Sequence, residues 1–484
     1  MGEIPYYVYE FFKKGIEDGN NYYSLSQTRS RSAAFFANAT YSYKGRYTVN
    51  GTARYEGTNR MGKSRSARWL PTWNVSGAWN AHEEKFFSNL TSVLSHFTLK
   101  ASYSLTADRG PADVTNSQAI ITSYSPYRPF TSIQESGLYI KELENSELTY
   151  EKKHELNIGA DMGFLNNRIN LAVDWYKRNN YDLIGIVNTQ GAGGQILKYA
   201  NIASMKSHGI EFTLSTKNIK TKDFNWNTDF IFSNAKNEVT DLKQNANVME
   251  LISGNGFAKQ GYPVRGLFSI PFVGLDKDGI PVIINEKGEA TSTDINFQER
   301  QNTGFLKYEG PTDPTITGSL GNMFSYKGFR LNLFITYSFG NVIRLNPVFK
   351  AYYSDLTAMT REFKNRWTLP GDEAKTNVPA ILSKRMYDSN EDLKYAYNAY
   401  NYSTERIAKG DFIRLKEISL AYDFPKAWIN PLKLTDLSLK VQATNLFLIY
   451  ADDKLNGQDP EFFNAGGVAS PVPRQFTITL RLGL

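Results

Sequence analysis

Four histidines are the first place to look for chemistry. His82, His96, His154 and His208 are the only ones in the chain, and no two stand at the spacing that metal ligands on one element require. His82-Glu83-Glu84 begins like a zinc-protease helix, but position 86 is Phe where the second His would be needed, so a turn is expected there. Asp276-Lys277-Asp278-Gly279 opens like a calcium loop, yet its glycine comes fourth rather than sixth, which fits a tight turn. Gly191-Ala192-Gly193-Gly194 lacks the Lys-Ser/Thr pair of a phosphate loop and reads as a flexible connection. No serine sits in a nucleophile elbow, and no base has an orienting partner. The chain has no cysteine, which removes thiolate ligands, cysteine nucleophiles and disulfides together. No catalytic group, metal or cofactor is expected.

The residues left with recognition chemistry are aromatic. Tyr352, Tyr353, Tyr387, Tyr395, Tyr397, Tyr400 and Tyr402 fall in one polar stretch, with Trp367 among them. Such rings stack on sugars, fill pockets around peptide side chains, dock a partner protein, or pack a loop on itself; the sequence leaves these roles open. Trp367-Thr-Leu-Pro-Gly371 is expected to fix a bend. Trp175, Trp226 and Tyr337 stand instead on alternating strands, where rings face lipid or form the interfacial girdle.

The elements that must carry these residues are strands. Phe329, Leu331, Leu333, Ile335, Tyr337 and Phe339 share one face, opposed by Arg330, Asn332, Phe334, Thr336, Ser338 and Gly340. The same two-residue period runs through 156–164, 168–176 and 476–484. Mean hydropathy is −0.44, and no stretch approaches the roughly 18 apolar residues of a spanning helix. Alternating runs of about 9–11 residues nevertheless cross a bilayer as tilted strands, showing lipid every second side chain. Strands are expected near 32–43, 46–57, 71–80, 96–106, 148–164, 167–178, 203–217, 223–236, 314–326, 328–340, 411–424, 434–447 and 474–484.

Short turns at Lys44-Gly45, Asn166-Asn167 and Lys327-Gly328 alternate with long polar segments at 107–147, 179–198, 237–313, 341–409 and 448–473. Tight turns on the periplasmic side and long loops outside are the habit of outer-membrane barrels. The fold class expected is therefore all-β, a transmembrane antiparallel β-barrel. With about thirteen strands, segment 237–313 must hold zero or two crossings, and 1–484 reads as the C-terminal part of a barrel of about 22 strands. Met1-Gly2-Glu3-Ile4-Pro5 has no charged or apolar lead of an export signal, which fits the same reading. Asp161, Asp174 and Arg330 are expected to face the lumen, because a charge facing lipid is costly. The net charge of +7 is spread along the chain, and no nucleic-acid partner is expected. A soluble β-rich carbohydrate-binding protein and a passive outer-membrane porin are the alternatives.

Several segments carry a resemblance. Tyr41-Ser-Tyr-Lys-Gly-Arg-Tyr47 is followed by Arg54-Tyr-Glu-Gly57, Trp69-Leu-Pro71 and Gly77-Ala-Trp79. Leu148-Thr-Tyr-Glu-Lys152, Asp182-Leu-Ile184 and Asn201-Ile-Ala-Ser-Met205 come next. Trp367-Thr-Leu-Pro-Gly371, Phe412-Ile-Arg-Leu415, Thr444-Asn-Leu-Phe447 and Asp459-Pro-Glu461 complete the series. In this order, across almost the whole chain, they resemble the SusC/RagA family of TonB-dependent outer-membrane transporters. Arg54-Tyr-Glu-Gly57 departs from the family's Arg-Asp-Gly, and the chain ends at Leu484 where many barrels end in an aromatic. The resemblance implies location in the outer membrane of a Gram-negative bacterium, and uptake of oligosaccharides or peptides with energy from the TonB complex. It also implies a SusD/RagB-like surface lipoprotein as lid. The N-terminal half of such a transporter, with its plug, is expected outside this chain.

Overall fold

The computed structural model describes residues 6–17, 29–110, 119–124, 136–188, 197–349, 359–463 and 473–483. Alternation converts into one antiparallel sheet of thirteen strands, each hydrogen-bonded to the next in chain order. These are β1 Ser32–Tyr43, β2 Tyr47–Thr58, β3 Trp69–Asn80, β4 Leu94–Asp108, β5 Glu151–Phe164, β6 Ile169–Asn188 and β7 Leu197–Lys220. Then follow β8 Phe224–Leu242, β9 Ile316–Tyr326, β10 Phe329–Phe339, β11 Phe412–Asp423, β12 Asp436–Ala451 and β13 Gln475–Gly483. All thirteen expected strands are present. Segment 237–313 makes no crossing, because β8 pairs directly with β9 through Asp229↔Gly321 and its neighbours.

Three strands run well past their expected ends at the long-loop rim. β6, β7 and β8 run 20, 24 and 19 residues, longer than a bilayer needs. Much of 179–198, expected as loop, is therefore strand, paired out to Asn188↔Leu197. Beyond the lipid band both faces meet water, so Asn179, Asn180 and Asp182 break the alternation while the backbone ladder continues.

Register lines the side chains into two continuous faces. One row reads Tyr41, Val49, Gly77, Ala101, Ile158, Trp175 and Ile210 across β1–β7. The row behind it reads Ser42, Thr48, Ala78, Lys100, Gly159, Asp174 and Glu211. On β13 the apolar face leaves Phe476 and Ile478 each 74% exposed and Leu480 59% exposed. The greasy face is thus left uncovered by the described residues, which is the opposite of a water-soluble core.

The tightest connections, of two to four residues, all lie at one rim. Left-handed backbone at Lys44 (φ 53°), Asn166 (58°), Asn167 (57°) and Lys327 (43°) closes three of them, as their residue types favour. Residues 81–93, the turn expected around His82, add two short 3-10 helices at Ala81–Glu83 and Lys85–Asn89. Every long connection lies at the other rim.

Candidate functional site

At the long-loop rim, segments 243–315, 340–349 and 359–411 fold onto each other as a layer. Asn247 starts it: its side chain accepts from the Glu250 amide at 2.8 Å while Glu250 accepts from the Asn247 amide at 2.8 Å. This capping box launches the helix Val248–Ile252, whose Val248, Leu251 and Ile252 are buried against Phe268, Ile270, Ile283, Leu306 and Ala399. Here apolar residues point inward, as in a water-soluble domain.

Buried arginines tie the layer together. Arg344 donates to the carbonyls of Phe268 (2.6 Å), Ser403 (2.8 Å) and Ile252 (3.3 Å) and to the Ser269 hydroxyl (3.1 Å). Burial pulls its guanidinium down to about 9, and the four oxygens solvate the charge that remains at neutral pH. Arg406 reaches Glu362 and the Asn346 carbonyl, both at 2.7 Å. Arg414 holds Asp459 through both carboxylate oxygens, at 2.5 and 2.6 Å, and Glu461 at 3.3 Å. Phe412-Ile-Arg-Leu415 and Asp459-Pro-Glu461, far apart in sequence, therefore meet. A second joint forms where Asn201 donates to the carbonyls of Thr149 (2.9 Å) and Asp182 (2.5 Å) while Lys152 pairs with Asp182 at 2.7 Å.

Trp367 lies half-buried over Gly279, which has no room for a side chain. Its indole N–H donates to Glu373 at 3.0 Å, and that bond holds the Glu373 carboxyl below its usual range. Asp372 accepts from the Leu369 amide at 3.0 Å and from Thr368, which likewise lowers it. The bend expected at Trp367–Gly371 is present, with Gly371 at φ 97°. Asp276-Lys277-Asp278-Gly279 is the expected tight turn, Asp276 Oδ1 accepting from the amides of Asp278 and Ile280 at 2.9 Å each. Among the described residues no group of three or more His, Asp or Glu could hold a metal ion.

The expected aromatic cluster separates by burial. Tyr397 and Tyr400, each 1% exposed, are inside the layer, against Phe349 (5.2 Å) and Phe272 (5.4 Å). A direct ligand contact is not available to those two rings as they stand, since the helix Leu393–Asn401 turns Leu393, Ala396, Tyr397 and Tyr400 inward together. Tyr395 faces out, with Lys394 5.2 Å from its ring centre, and Tyr387 is half-buried. Tyr352, Tyr353 and Gly191–Gly194 lie outside the described residues. On the sheet, Asp161, Asp174 and Arg330 occupy the polar face: Asp161 pairs with Lys100 and Arg330 with Asp423, each at 2.7 Å. Asp174 stands directly across from Glu211. Two clefts open where the layer meets the strands. One, of about 870 Å³, is lined by Arg361, Arg414, Asn445, Asp459 and Arg474; the other, of about 490 Å³, by Arg265, Asp313, Thr336, Lys416 and Glu461.

A family model described as "TonB dependent receptor-like, beta-barrel" matches residues 5–446. The chain belongs to that family. It is 26% identical over 515 residues to the TonB-dependent receptor SusC of Bacteroides thetaiotaomicron, covering 98% of this chain and 47% of that receptor. It is 25% identical over 446 residues to TonB-dependent receptor P3 of Formosa agariphila, covering 88% of this chain and 41% of the relative. The chain spans less than half the length of these relatives. The solved RagAB peptide transporter shares its fold, with a TM-score of 0.73 at 23% identity, over 94% of this chain and 48% of that one. TonB-dependent receptors of the SusC and RagA kind are outer-membrane β-barrel proteins, which agrees with an apolar sheet face left uncovered. Residue types alone do not mark Arg344, Arg406 or the inward set on Leu393–Asn401 as structural members. The last could have been read from its i, i+3, i+4, i+7 spacing.

Proposed function

We propose that this chain forms wall and long-loop rim of an outer-membrane importer for oligosaccharides or peptides, in a Gram-negative bacterium. One observation supports this above others: thirteen strands keep one apolar and one polar face while every long connection gathers at one rim. The polar face, with Asp161, Asp174 and Arg330, lines a water-filled lumen around the plug of an N-terminal half. The loop layer receives the nutrient beneath a SusD/RagB-like lipoprotein, with Tyr387, Tyr395 and Trp367 as the aromatic surface offered to ligand or lid. The wall itself does no bond-breaking chemistry. Energy arrives through the TonB complex acting on the plug.

The test is uptake of labelled oligosaccharides and peptides by cells with and without the protein, before and after collapse of the proton-motive force. Uptake of one class should need both the protein and the gradient. Protein-dependent uptake that survives collapse of the gradient would mean a passive porin instead.

A further inference from the structure

The short-turn rim carries a feature that neither transport nor the loop layer uses. Its six connections, 44–46, 81–93, 165–168, 221–223, 327–328 and 424–435, hold eight Lys and Arg against three Asp and Glu. That excess accounts for five of the chain's net +7. The tetrapeptide Ser-Tyr-Lys-Gly occurs twice in the chain, at 42–45 and 325–328, and both copies close hairpins at this rim. In each the lysine is left-handed and its ammonium lies over the preceding tyrosine, Lys44 at 5.1 Å from Tyr43 and Lys327 at 5.4 Å from Tyr326. Both tyrosines are about half exposed.

Apolar side chains continue past the strand ends at the same level. A ladder of rings runs from the sheet face into connection 424–435: Phe329 to Tyr422 (4.4 Å), Tyr422 to Phe424 (4.9 Å) and Phe424 to Trp428 (6.4 Å). Trp428 ends it 62% exposed between the exposed Lys426 and Lys433. In 81–93, Phe86 sits 6.5 Å from Trp79 of the apolar face, and Phe86, Leu90 and Val93 are all exposed. Rings that reach below the hydrocarbon band, with cations just beyond them, match the depth profile of a phospholipid interface: acyl chains, glycerol, then phosphate.

We propose that this rim is a collar that binds anionic phospholipid headgroups of the leaflet on the short-turn side, with Lys44 and Lys327 as paired phosphate contacts and Trp428 as a wedge. Continuity with the lipid-facing sheet and charge complementarity select a bilayer as occupant. The inference rests on the membrane-barrel reading proposed above.

The test uses the protein purified from its membrane and placed in phosphatidylethanolamine, with or without phosphatidylglycerol, counting retained lipids by native mass spectrometry. Wild type should keep phosphatidylglycerol in preference. The K44Q/K327Q protein should lose that preference by about fivefold per lysine removed, with heat-modifiable gel mobility unchanged. K394Q, which removes the same cation-over-ring pair at the opposite rim, should keep it. Equal preference in folded wild type and K44Q/K327Q would overturn the collar while leaving the barrel standing. Failure of wild type to enter either lipid mixture would instead overturn the barrel reading, and the collar with it.

Discussion

The wall and the loop layer of this molecule bury opposite things. On β13 the large apolar side chains are bare and the polar row lies behind them. By contrast, the layer at the long-loop rim hides Leu251, Phe268 and Ile270 and encloses Arg344 and Arg406. The same alphabet is used with reversed sense because the solvents differ: hydrocarbon around the wall, water around the loops. A wall residue can therefore be judged only by its face, and a loop residue only by its partners.

That contrast can be broken most forcefully at Arg414. Arg414→Met leaves the Asp459 carboxylate buried without its partner, which costs about 3–5 kcal/mol. The loss should fall on the loop layer, read as rapid proteolysis within 340–463 while gel mobility of the heated and unheated barrel stays normal. In the wall the expected pattern inverts. Leu171→Arg puts a cation on the lipid face, at a cost that reaches about 2–4 kcal/mol at the bilayer midplane and falls toward the rims, and should impair barrel assembly. Asp174→Leu should assemble normally, since it removes a charge that faces Glu211 across the strand pair. Normal folding of Leu171→Arg would reverse the assignment of the two faces.

Arg344→Met sharpens the comparison within the layer. Three carbonyls and one hydroxyl lose their shared donor, at about 1–3 kcal/mol for each that water cannot reach. Hydrogen exchange at Phe268–Ile270 and Ser403 should quicken, with β1–β13 unaffected. The mildest effect expected is with pH. Asp372 and Glu373 titrate lower in the folded loop than in an unfolded chain. Their contribution is present above the ordinary carboxylate range and is lost as pH falls through their folded values. Acidification below about 4 should loosen the Trp367–Glu373 bend, seen as a fluorescence change in wild type that W367F lacks.

Legibility in the sequence followed the same division. The wall could be read because each strand repeats a period of two for long enough to stand out, and turns such as Lys327-Gly328 mark its ends. Where both faces are wet, as at Asn179–Asp182, the period fades and strand is not distinguishable from loop by pattern. The layer could not be read, because what holds it is tertiary: Arg414 finds Asp459 across the rim, and Arg344 finds carbonyls from two segments at once. Aromatic richness between Tyr387 and Tyr400 signalled importance without saying which rings turn inward, and helical spacing on Leu393–Asn401 was the available clue.

The chain contains no cysteine, so single cysteines placed in turn at positions 169 through 176 report side-chain environment without background. In native outer membranes, a lipid-soluble maleimide should label 169, 171, 173 and 175, and a charged, water-soluble one should prefer 170, 172, 174 and 176. Uniform labelling along β6, or an alternation of opposite phase, would contradict the claim that this sheet stands between hydrocarbon and water.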